Sequence, residues 1–318
     1  MLSEFISLLA FAFGVTAPIF VLVFLGVFLK RIQFIDDAFM NSATKLVFNI
    51  SLPCLLFVSM VKTDIQSVIN GPYLLIALLG TFAAFIALSL IAPFIVKNKK
   101  DRGVFVQGGF RSNLAIIGLA FVLNAYGEQG LAKASILISA VTVLYNILSI
   151  YTLQTNLSET RIKVQALILS IVKNPLIIAI LSGIAVNLIG LPIPEFAITS
   201  GEYLSYMTLP LALICIGGTI SLAEFKKSSA VSLTAVFFKL VIAPFLIVYP
   251  AYLWGFNKTD IGILFLMVAC PTAAASYVMV KGVGGNAKLA ANIIVISTLL
   301  SLFSVSFGLA FLKYYGVV

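Results

Sequence analysis

The sequence contains no histidine, few charged residues and little cysteine. Only 10% of its 318 residues are charged, against about 25% in an ordinary soluble domain. The absence of histidine excludes histidine acid–base catalysis, histidine metal sites and histidine proton relays. The cysteines, Cys54, Cys215 and Cys270, lie in apolar stretches and form no CxxC motif. We therefore expect no disulfide framework, no metal and no cofactor.

Apolar residues are what the chain has in excess. Hydrophobic residues make up 61% of it, and the mean hydropathy is +1.15. No water-soluble core needs that much apolar sequence, so lipid must be a major part of the surroundings. The first apolar run, from Phe5 to Leu29, follows Glu4 and has no basic segment before it. It is too long for the apolar part of a signal peptide, so we read it as a membrane span.

Ten apolar runs are long enough to cross a bilayer, which takes roughly 20 residues each. They cover residues 5–29, 39–61, 71–96, 104–126, 131–153, 164–189, 199–223, 229–254, 260–281 and 288–312. Backbone groups in lipid must be paired within the protein, which favours helices, and the alternating strands of a β-barrel are not seen. The sequence predicts an all-α integral membrane protein with ten transmembrane helices and no soluble domain.

The basic residues indicate the orientation, because cytoplasmic loops are enriched in Lys and Arg. With the N-terminus outside, twelve basic residues face the cytoplasm: Lys30, Arg31, Lys97, Lys99, Lys100, Arg102, Arg161, Lys163, Lys226, Lys227, Lys281 and Lys288. Four face outward: Lys62, Lys133, Lys258 and Lys313. We predict a multi-pass protein of the cell (inner) membrane with both termini outside the cytoplasm. The net charge of +9 then reflects topology, and no nucleic acid partner is expected.

The two halves of the chain resemble each other. Pro18, Pro53 and Pro93 recur 157 residues later as Pro175, Pro210 and Pro250. The loop 98–103 matches the loop 257–262 at four of six residues. Each half has five predicted spans, and an odd number forces the second half to insert upside down. We predict an inverted repeat with five helices in residues 1–155 and five in residues 156–318.

Two predicted spans contain helix breaks at matching places. The fourth span carries Gln107-Gly108-Gly109-Phe110-Arg111-Ser112-Asn113, and the ninth carries Ala269-Cys270-Pro271-Thr272. Gly-Gly and Ser-Asn are unfavourable inside a helix, whereas Ser and Asn favour a helix start. New helix ends near Asn113 and Pro271 would expose backbone donors and bind an anion. The alternative is that these residues only kink their helices.

The charged and polar residues inside the spans each allow two interpretations. Arg111 either contacts an anion or snorkels to the cytoplasm. Tyr145 and Asn146 either face a cavity or bond to neighbouring helices. Lys173 and Lys239 are expected to snorkel or to pair. Buried carboxylates are not seen near the breaks, so ion coupling lacks support, although carbonyl and hydroxyl oxygens can also hold sodium.

At these residues the sequence resembles the auxin efflux carrier family, which includes plant auxin exporters and bacterial malate and malonate permeases. The matching stretches are Asn49-Ile50-Ser51-Leu52-Pro53-Cys54-Leu55-Leu56-Phe57, Phe110-Arg111-Ser112-Asn113-Leu114-Ala115 through Gly118 to Tyr126-Gly127, Cys270-Pro271-Thr272 with Ser276-Tyr277-Val278, and Ser297-Thr298-Leu299-Leu300-Ser301. The resemblance covers nearly the whole chain. Where plant members often have a proline seven residues after the Asn, this chain has Ala120, so auxin itself is not implied.

The resemblance implies a sodium/proton antiporter-like fold with broken crossing helices 4 and 9. Helices 1, 2, 6 and 7 would form a scaffold, and helices 3–5 and 8–10 a transport domain. Together with the breaks, it assigns substrate binding to Arg111, Ser112, Asn113, Tyr145, Asn146, Pro271, Thr272 and Ser276.

The function predicted is a secondary transporter, or permease, that moves a small organic anion such as a mono- or dicarboxylate by an elevator-type mechanism. The alternatives are a sodium-coupled symporter of the bile-acid-transporter type, a receptor and a membrane enzyme. An enzyme is disfavoured by the lack of histidine and of paired carboxylates. The expected partners are the substrate and membrane lipid, and a homodimer is left open.

Overall fold

The computed structural model describes residues 2–65, 70–157, 169, 172–220 and 229–318. In these ranges the helices are α1 (Leu2–Arg31), α2 (Asp37–Leu46), α3 (Leu52–Lys62), α4 (Gly71–Ile95), α5 (Lys99–Phe110), α6 (Leu119–Leu157), α7 (Pro175–Ile189), α8 (Glu195–Thr219), α9 (Ala230–Phe237), α10 (Ala243–Leu253), α11 (Lys258–Ala269), α12 (Ala275–Gly282) and α13 (Ala287–Tyr314). Three π-helical turns, Val47–Ser51, Leu114–Gly118 and Phe238–Ile242, adjoin them. An all-α fold is confirmed for the described part of the chain.

Six helical stretches of the described residues are long and apolar enough to cross a membrane. They are Phe5–Arg31, Asp37–Lys62, Gly71–Ile95, Leu114–Leu157, Ala230–Leu253 and Ala287–Tyr314, and Pro175–Ile189 is a shorter apolar helix. Large apolar side chains are exposed on the surface, among them Phe94 (90%), Ile189 (78%) and Phe196 (75%). Such a surface fits contact with lipid. A multi-pass membrane protein is therefore confirmed, and the count of ten spans stays a prediction.

Helix breaks explain part of the difference between ten and six. The 39-residue helix α6 contains Gly127 at φ 62 and ψ −155, so the chain bends there, between the predicted spans 104–126 and 131–153. Glycine adopts this positive φ without a steric cost. The predicted spans 104–126 and 260–281 are each divided into shorter helical pieces, because α5 ends at Phe110 and α11 ends at Ala269.

The loop that matches between the two halves caps a helix in each. The Asn98 side chain accepts a hydrogen bond from the Lys100 N–H of α5 at 3.1 Å. The Asn257 side chain accepts one from the Asp260 N–H of α11 at 2.8 Å. Asparagine is favoured at this position because its oxygen pairs a free N–H at the helix start. The repeated sequence thus caps the first helix of each broken span.

The helices pack in two groups. In the first, α1 packs on α8, and α3 packs on α7 and α8. In the second, α5 packs on α4 and α6, α10 on α4 and α11, and α9 and α12 on α13. The groups meet where α1 contacts α13 and where α3 contacts α6.

Glycines bring α1 and α8 into backbone contact. A Cβ atom at Gly26 would meet the Ile214 carbonyl, and one at Gly217 would meet the Val23 carbonyl. Small residues at helix interfaces commonly allow such close approach in membranes. Gly14, also on α1, has open space around the corresponding position.

Gly26→Ala is therefore expected to destabilise the protein by about 1–3 kcal/mol, the usual cost of overpacking, because the colliding atoms are backbone and cannot turn away. The measurement is the melting temperature of purified protein in detergent. Gly14→Ala is the matched control and should leave the melting temperature unchanged or raise it. Equal effects of the two substitutions would contradict the close contact.

Several predicted features lie outside the described residues. They include Arg161, Lys163, Lys226 and Lys227, the first part of the predicted span 164–189, and the end of the predicted span 199–223. The predicted boundary between the repeats, after residue 155, falls in the last turn of α6. The orientation and the two-repeat division stay predictions.

Candidate functional site

The two broken spans meet at their breaks. The Asn113 N–H donates to the Pro271 carbonyl at 2.8 Å, and the Ala273 N–H donates to the Arg111 carbonyl at 3.1 Å. Ser112 and Thr272 face each other as an isolated antiparallel bridge between these bonds. We call the extended segments 111–113 and 270–273 the crossing. Both breaks are therefore real, and each satisfies the backbone groups that the other leaves unpaired.

Two hydroxyl groups reinforce the crossing reciprocally. The Ser112 hydroxyl donates to the Val268 carbonyl at 3.1 Å. The Thr272 hydroxyl donates to the Gly108 carbonyl at 2.7 Å. Each hydroxyl thus pairs a carbonyl in the last turn of the opposite half-helix, where intrahelical partners are missing.

The second half-helices begin at the crossing, as the sequence predicts. The π-helical turn Leu114–Gly118 leads into α6, and α12 begins at Ala275. The first turn of each leaves N–H groups without intrahelical partners, which gives that end a partial positive charge. The reason given from the sequence is only partly right, because the Asn113 side chain forms no capping hydrogen bond.

Gly108 and Gly109 also differ from the expectation that they break the helix. Both lie inside α5. A Cβ atom at Gly108 would come within 2.9 Å of Ile293, and one at Gly109 within 2.8 Å of Leu88. Their role is to let α5 pack closely on α13 and α4.

A cavity of about 300 Å³ adjoins the crossing. One wall consists of residues 111–115, residues 273–275, and Thr142, Tyr145 and Asn146 of α6. The other wall consists of Phe48 and Asn49, in the first π-helical turn, and residues 174–176 at the start of α7. We call it the crossing cavity. Five of the predicted site residues line it: Arg111, Ser112, Asn113, Tyr145 and Asn146.

Arg111 is buried beside this cavity, with 7% of its surface exposed. Its guanidinium donates to the Asn146 side-chain oxygen at 3.0 Å and to the Ser149 hydroxyl at 3.0 Å. It also approaches the Tyr145 carbonyl at 3.4 Å and the Met279 sulfur at 3.2 Å. Arg111 therefore does not snorkel; neutral groups of α6 and α12 hold it.

No carboxylate among the described residues neutralises Arg111. The ion pairs of the described chain are Lys30–Asp37, Lys62–Glu202 and Lys133–Asp260. The Arg111 Nε atom is buried without a hydrogen-bond partner in the part of the chain that the structure describes. An uncompensated cation in such a place costs several kcal/mol of solvation. The crossing cavity is therefore electropositive.

Other polar groups of the cavity are only partly used. Asn113 is 7% exposed, and its side-chain amide has no hydrogen-bond partner among the described residues. The Tyr145 ring packs edge-on against Phe110, with ring centroids 5.6 Å apart. The Asn113 amide can donate to a bound anion without breaking the contacts that hold the crossing.

The remaining predicted site residues have other surroundings. Pro271 and Thr272 belong to the crossing through the bonds given above and do not line the cavity. Ser276 is buried in α12 with a hydroxyl that has no hydrogen-bond partner among the described residues, and it does not line the cavity either. Their role in substrate binding stays a prediction.

The cavity also has polar residues that the sequence did not single out as site residues. Asn49 lies in the π-helical turn Val47–Ser51, and such turns are frequent at functional sites. Thr142 lies one turn before Asn146 on α6. Asn174 caps α7 by accepting from the Leu176 N–H at 3.0 Å. In the sequence, Asn49 could have been recognised as a candidate because it is a polar residue in the middle of an apolar span.

Of the two lysines expected to snorkel or to pair, one does neither. Lys173 is exposed. Lys239, in contrast, is fully buried, and its ammonium donates to the Val268 carbonyl at 2.6 Å. The expectation for Lys239 is wrong because its ammonium is held by the end of α11, at the crossing, and does not extend to the lipid headgroups.

A wider cavity, of about 920 Å³, lies between the same two groups of helices. Leu22, Leu55 and Leu213 line it from α1, α3 and α8, and Ala120 and Leu123 line it from α6. Along the second wall, Asn49 lines the crossing cavity, and Leu55, further along the same helical stretch, lines the wider one. These two residues are roughly 9 Å apart along a helix. Leu52, between them, is fully buried, so packed side chains separate the two cavities.

Comparisons with known proteins show similarity to membrane transporters. A family model described as membrane transport protein matches residues 11–309. An uncharacterized transporter of Methanothermobacter thermautotrophicus is 25% identical over 90% of this chain and 93% of its own length. A Rhizobium meliloti protein named "Putative malonate transporter" is 24% identical over 94% of this chain and 95% of its own. An uncharacterized transporter of Escherichia coli is 22% identical over 90% and 95%.

Proposed function

Since the chain belongs to the membrane transport protein family, an auxin efflux carrier-like group, and is a transporter rather than an enzyme, we propose that it carries a small organic anion across the membrane. The anion binds in the crossing cavity beside Arg111 and Asn113. The observation that carries this proposal is Arg111 itself, a buried cation that lines the cavity and has no carboxylate partner in the described chain.

A carboxylate is the ligand that fits these groups best. A guanidinium presents N–H donors in a planar fork that matches a carboxylate, and such charge-assisted bonds are stronger than neutral ones. The helix starts at Leu114 and Ala275 add partial positive charge on the same side. Malonate, the substrate printed in the name of one relative, is small enough for about 300 Å³ and is our first candidate.

The arrangement proposed is ten transmembrane helices as a 5+5 inverted repeat. The reciprocal hydroxyl bonds support it, because Ser112 and Thr272 are 160 residues apart, as are their partners Gly108 and Val268. The paired caps at Asn98 and Asn257 support it as well.

The mechanism proposed is of the elevator type. The scaffold would comprise helices 1, 2, 6 and 7, here α1–α3, α7 and α8, and the remainder would form the transport domain. Both cavities lie between these two groups. The wider cavity includes Lys62 and Lys133, which lie outside the cytoplasm in the topology predicted from the basic residues. The crossing cavity includes Asn174, next to the end of α7 that lies on the cytoplasmic side in the same predicted topology. Sliding of the transport domain would move Arg111 from one side to the other.

A panel of organic acids tests the proposal directly. Purified protein is heated with each acid at matched pH and ionic strength, and the melting temperature is recorded. A ligand that binds the native state raises it, by about 2.7 kcal/mol of stability at one hundred times the dissociation constant. We expect malonate or a related mono- or dicarboxylate to stabilise the protein and the matching uncharged amides not to. A panel without any stabilising carboxylate would count against the proposal.

Asn113→Ala is expected to weaken malonate binding at least about tenfold without unfolding the protein. The amide is a free hydrogen-bonding group at the cavity, and a bond to a charged ligand contributes about 1.5–3 kcal/mol. The dissociation constant is the measurement. Asn41→Ala, which removes an exposed amide from α2, is the control and should leave the affinity unchanged. Unchanged affinity in folded Asn113→Ala protein would exclude the amide from the site.

A further inference from the structure

Lys239 is a second buried cation, and anion binding in the crossing cavity does not use it. It lies in the π-helical turn Phe238–Ile242, between α9 and α10, and none of its surface is exposed. It does not line the crossing cavity. It forms none of the ion pairs of the described chain. Burying an ammonium group in this way is costly unless the surroundings supply negative charge.

The negative charge comes from the end of a half-helix. The Lys239 ammonium donates to the Val268 carbonyl at 2.6 Å, and Val268 lies in the last turn of α11, which ends at Ala269. The last carbonyls of a helix lack intrahelical partners and carry a partial negative charge. In inverted-repeat carriers, such half-helix C-terminal ends and unwound carbonyls are the groups that coordinate a coupling cation.

The contact also joins the cation to the crossing. The Val268 carbonyl accepts a second hydrogen bond, from the Ser112 hydroxyl at 3.1 Å. Ser112 stands between Arg111 and Asn113, which line the crossing cavity. A positive charge at this carbonyl is therefore one hydroxyl group away from the segment that would hold the anion.

We propose that the Lys239 ammonium occupies the place of a coupling sodium ion at the C-terminal end of α11, so that this carrier needs no sodium. A tethered ammonium has the single positive charge of sodium and its preference for carbonyl oxygen, but it is present permanently. The inference rests on the proposed function only in that the crossing belongs to a carrier. It separates this chain from the sodium-coupled symporter that the sequence left open.

The test compares sodium chloride with choline chloride at equal concentration, without any organic anion, and measures melting temperature. Wild-type protein should melt at the same temperature in both salts. Lys239→Ala protein should melt lower in choline and rise by about 2 °C or more in sodium, because sodium can then enter the vacated place. Lys239→Arg retains the charge and should stay insensitive to sodium. Lys288→Ala, which removes an exposed charge, is the matched control and should not create a sodium response.

Two results would overturn the proposal. One is stabilisation of the wild-type protein by sodium over choline. The other is folded Lys239→Ala protein that shows no sodium response. If Lys239→Ala does not fold, Lys239→Gln is tested in its place. The comparison of wild-type protein in sodium chloride and choline chloride can still overturn the proposal without any variant. This test contains no organic anion, so a negative result would not count against anion binding in the crossing cavity. A negative result in the organic-acid panel would likewise not count against the role of Lys239.

Discussion

Replacing Arg111 by glutamine is expected to weaken malonate binding by roughly 10²–10³-fold and to abolish uptake at low substrate concentration. Glutamine retains hydrogen-bonding capacity towards Asn146 and Ser149 but removes the only full charge at the cavity wall among the described residues. Removing one partner of a buried, hydrogen-bonded charge pair costs about 2–5 kcal/mol, and each 1.4 kcal/mol is a factor of ten. The measurements are the dissociation constant for malonate and the initial rate of uptake.

Stability separates this effect from unfolding. Without ligand, Arg111 is a buried cation that no carboxylate of the described chain compensates, so Arg111→Gln should not lower the melting temperature of ligand-free protein. Arg111→Lys should bind with intermediate affinity, because the charge remains but the planar fork is lost. Arg31→Gln, at the exposed end of α1, should bind malonate like wild type. Full affinity in Arg111→Gln protein would remove the arginine from the site.

The largest effect on stability is expected from Lys133→Met. The Lys133 ammonium lies 2.5 Å from the Asp260 carboxylate, whose side chain is 5% exposed, and the pair joins α6 to the start of α11. Removing the lysine leaves a buried carboxylate whose remaining side-chain partner is the Asn257 amide, at 2.8 Å. Breaking a buried pair on one side costs about 3–5 kcal/mol. We expect the melting temperature to fall by about 5 °C or more.

The more exposed ion pair provides the comparison. Lys62 and Glu202 are 52% and 27% exposed at their side chains, and exposed pairs contribute about 0–1 kcal/mol. Lys62→Met should therefore change the melting temperature little. Adding Asp260→Asn to Lys133→Met should restore part of the lost stability, because the uncompensated charge is removed. Equal shifts for Lys133→Met and Lys62→Met would show that burial does not set the value of these pairs.

The helix breaks were predictable from the sequence because their causes are local. Asparagine and proline are unfavourable inside a helix, so Asn113 and Pro271 indicate the breaks. The repeated Asn98 and Asn257 indicate helix starts. Arg111, Tyr145 and Asn146 were likewise predicted as site residues because they are charged or polar residues inside apolar spans. All three line the crossing cavity.

The features that sequence did not predict depend on contacts across the fold. The direction of Lys239 is set by the end of α11, 29 residues later. Ser276 follows its motif in sequence, yet α12 places it away from the crossing cavity. The second wall of the cavity, with Asn49 and Asn174, comes from helices that approach the crossing only in the folded protein.

Uptake of radiolabelled malonate into proteoliposomes in sodium-free buffer tests the central claim most directly. We expect saturable uptake by wild-type protein, competition by other small carboxylates, and loss of uptake at low malonate concentration in Arg111→Gln protein that melts normally. Malonate uptake that is equal in wild-type and Arg111→Gln proteoliposomes, or absent from wild-type proteoliposomes for every carboxylate of the panel, would contradict transport of an organic anion through the crossing cavity.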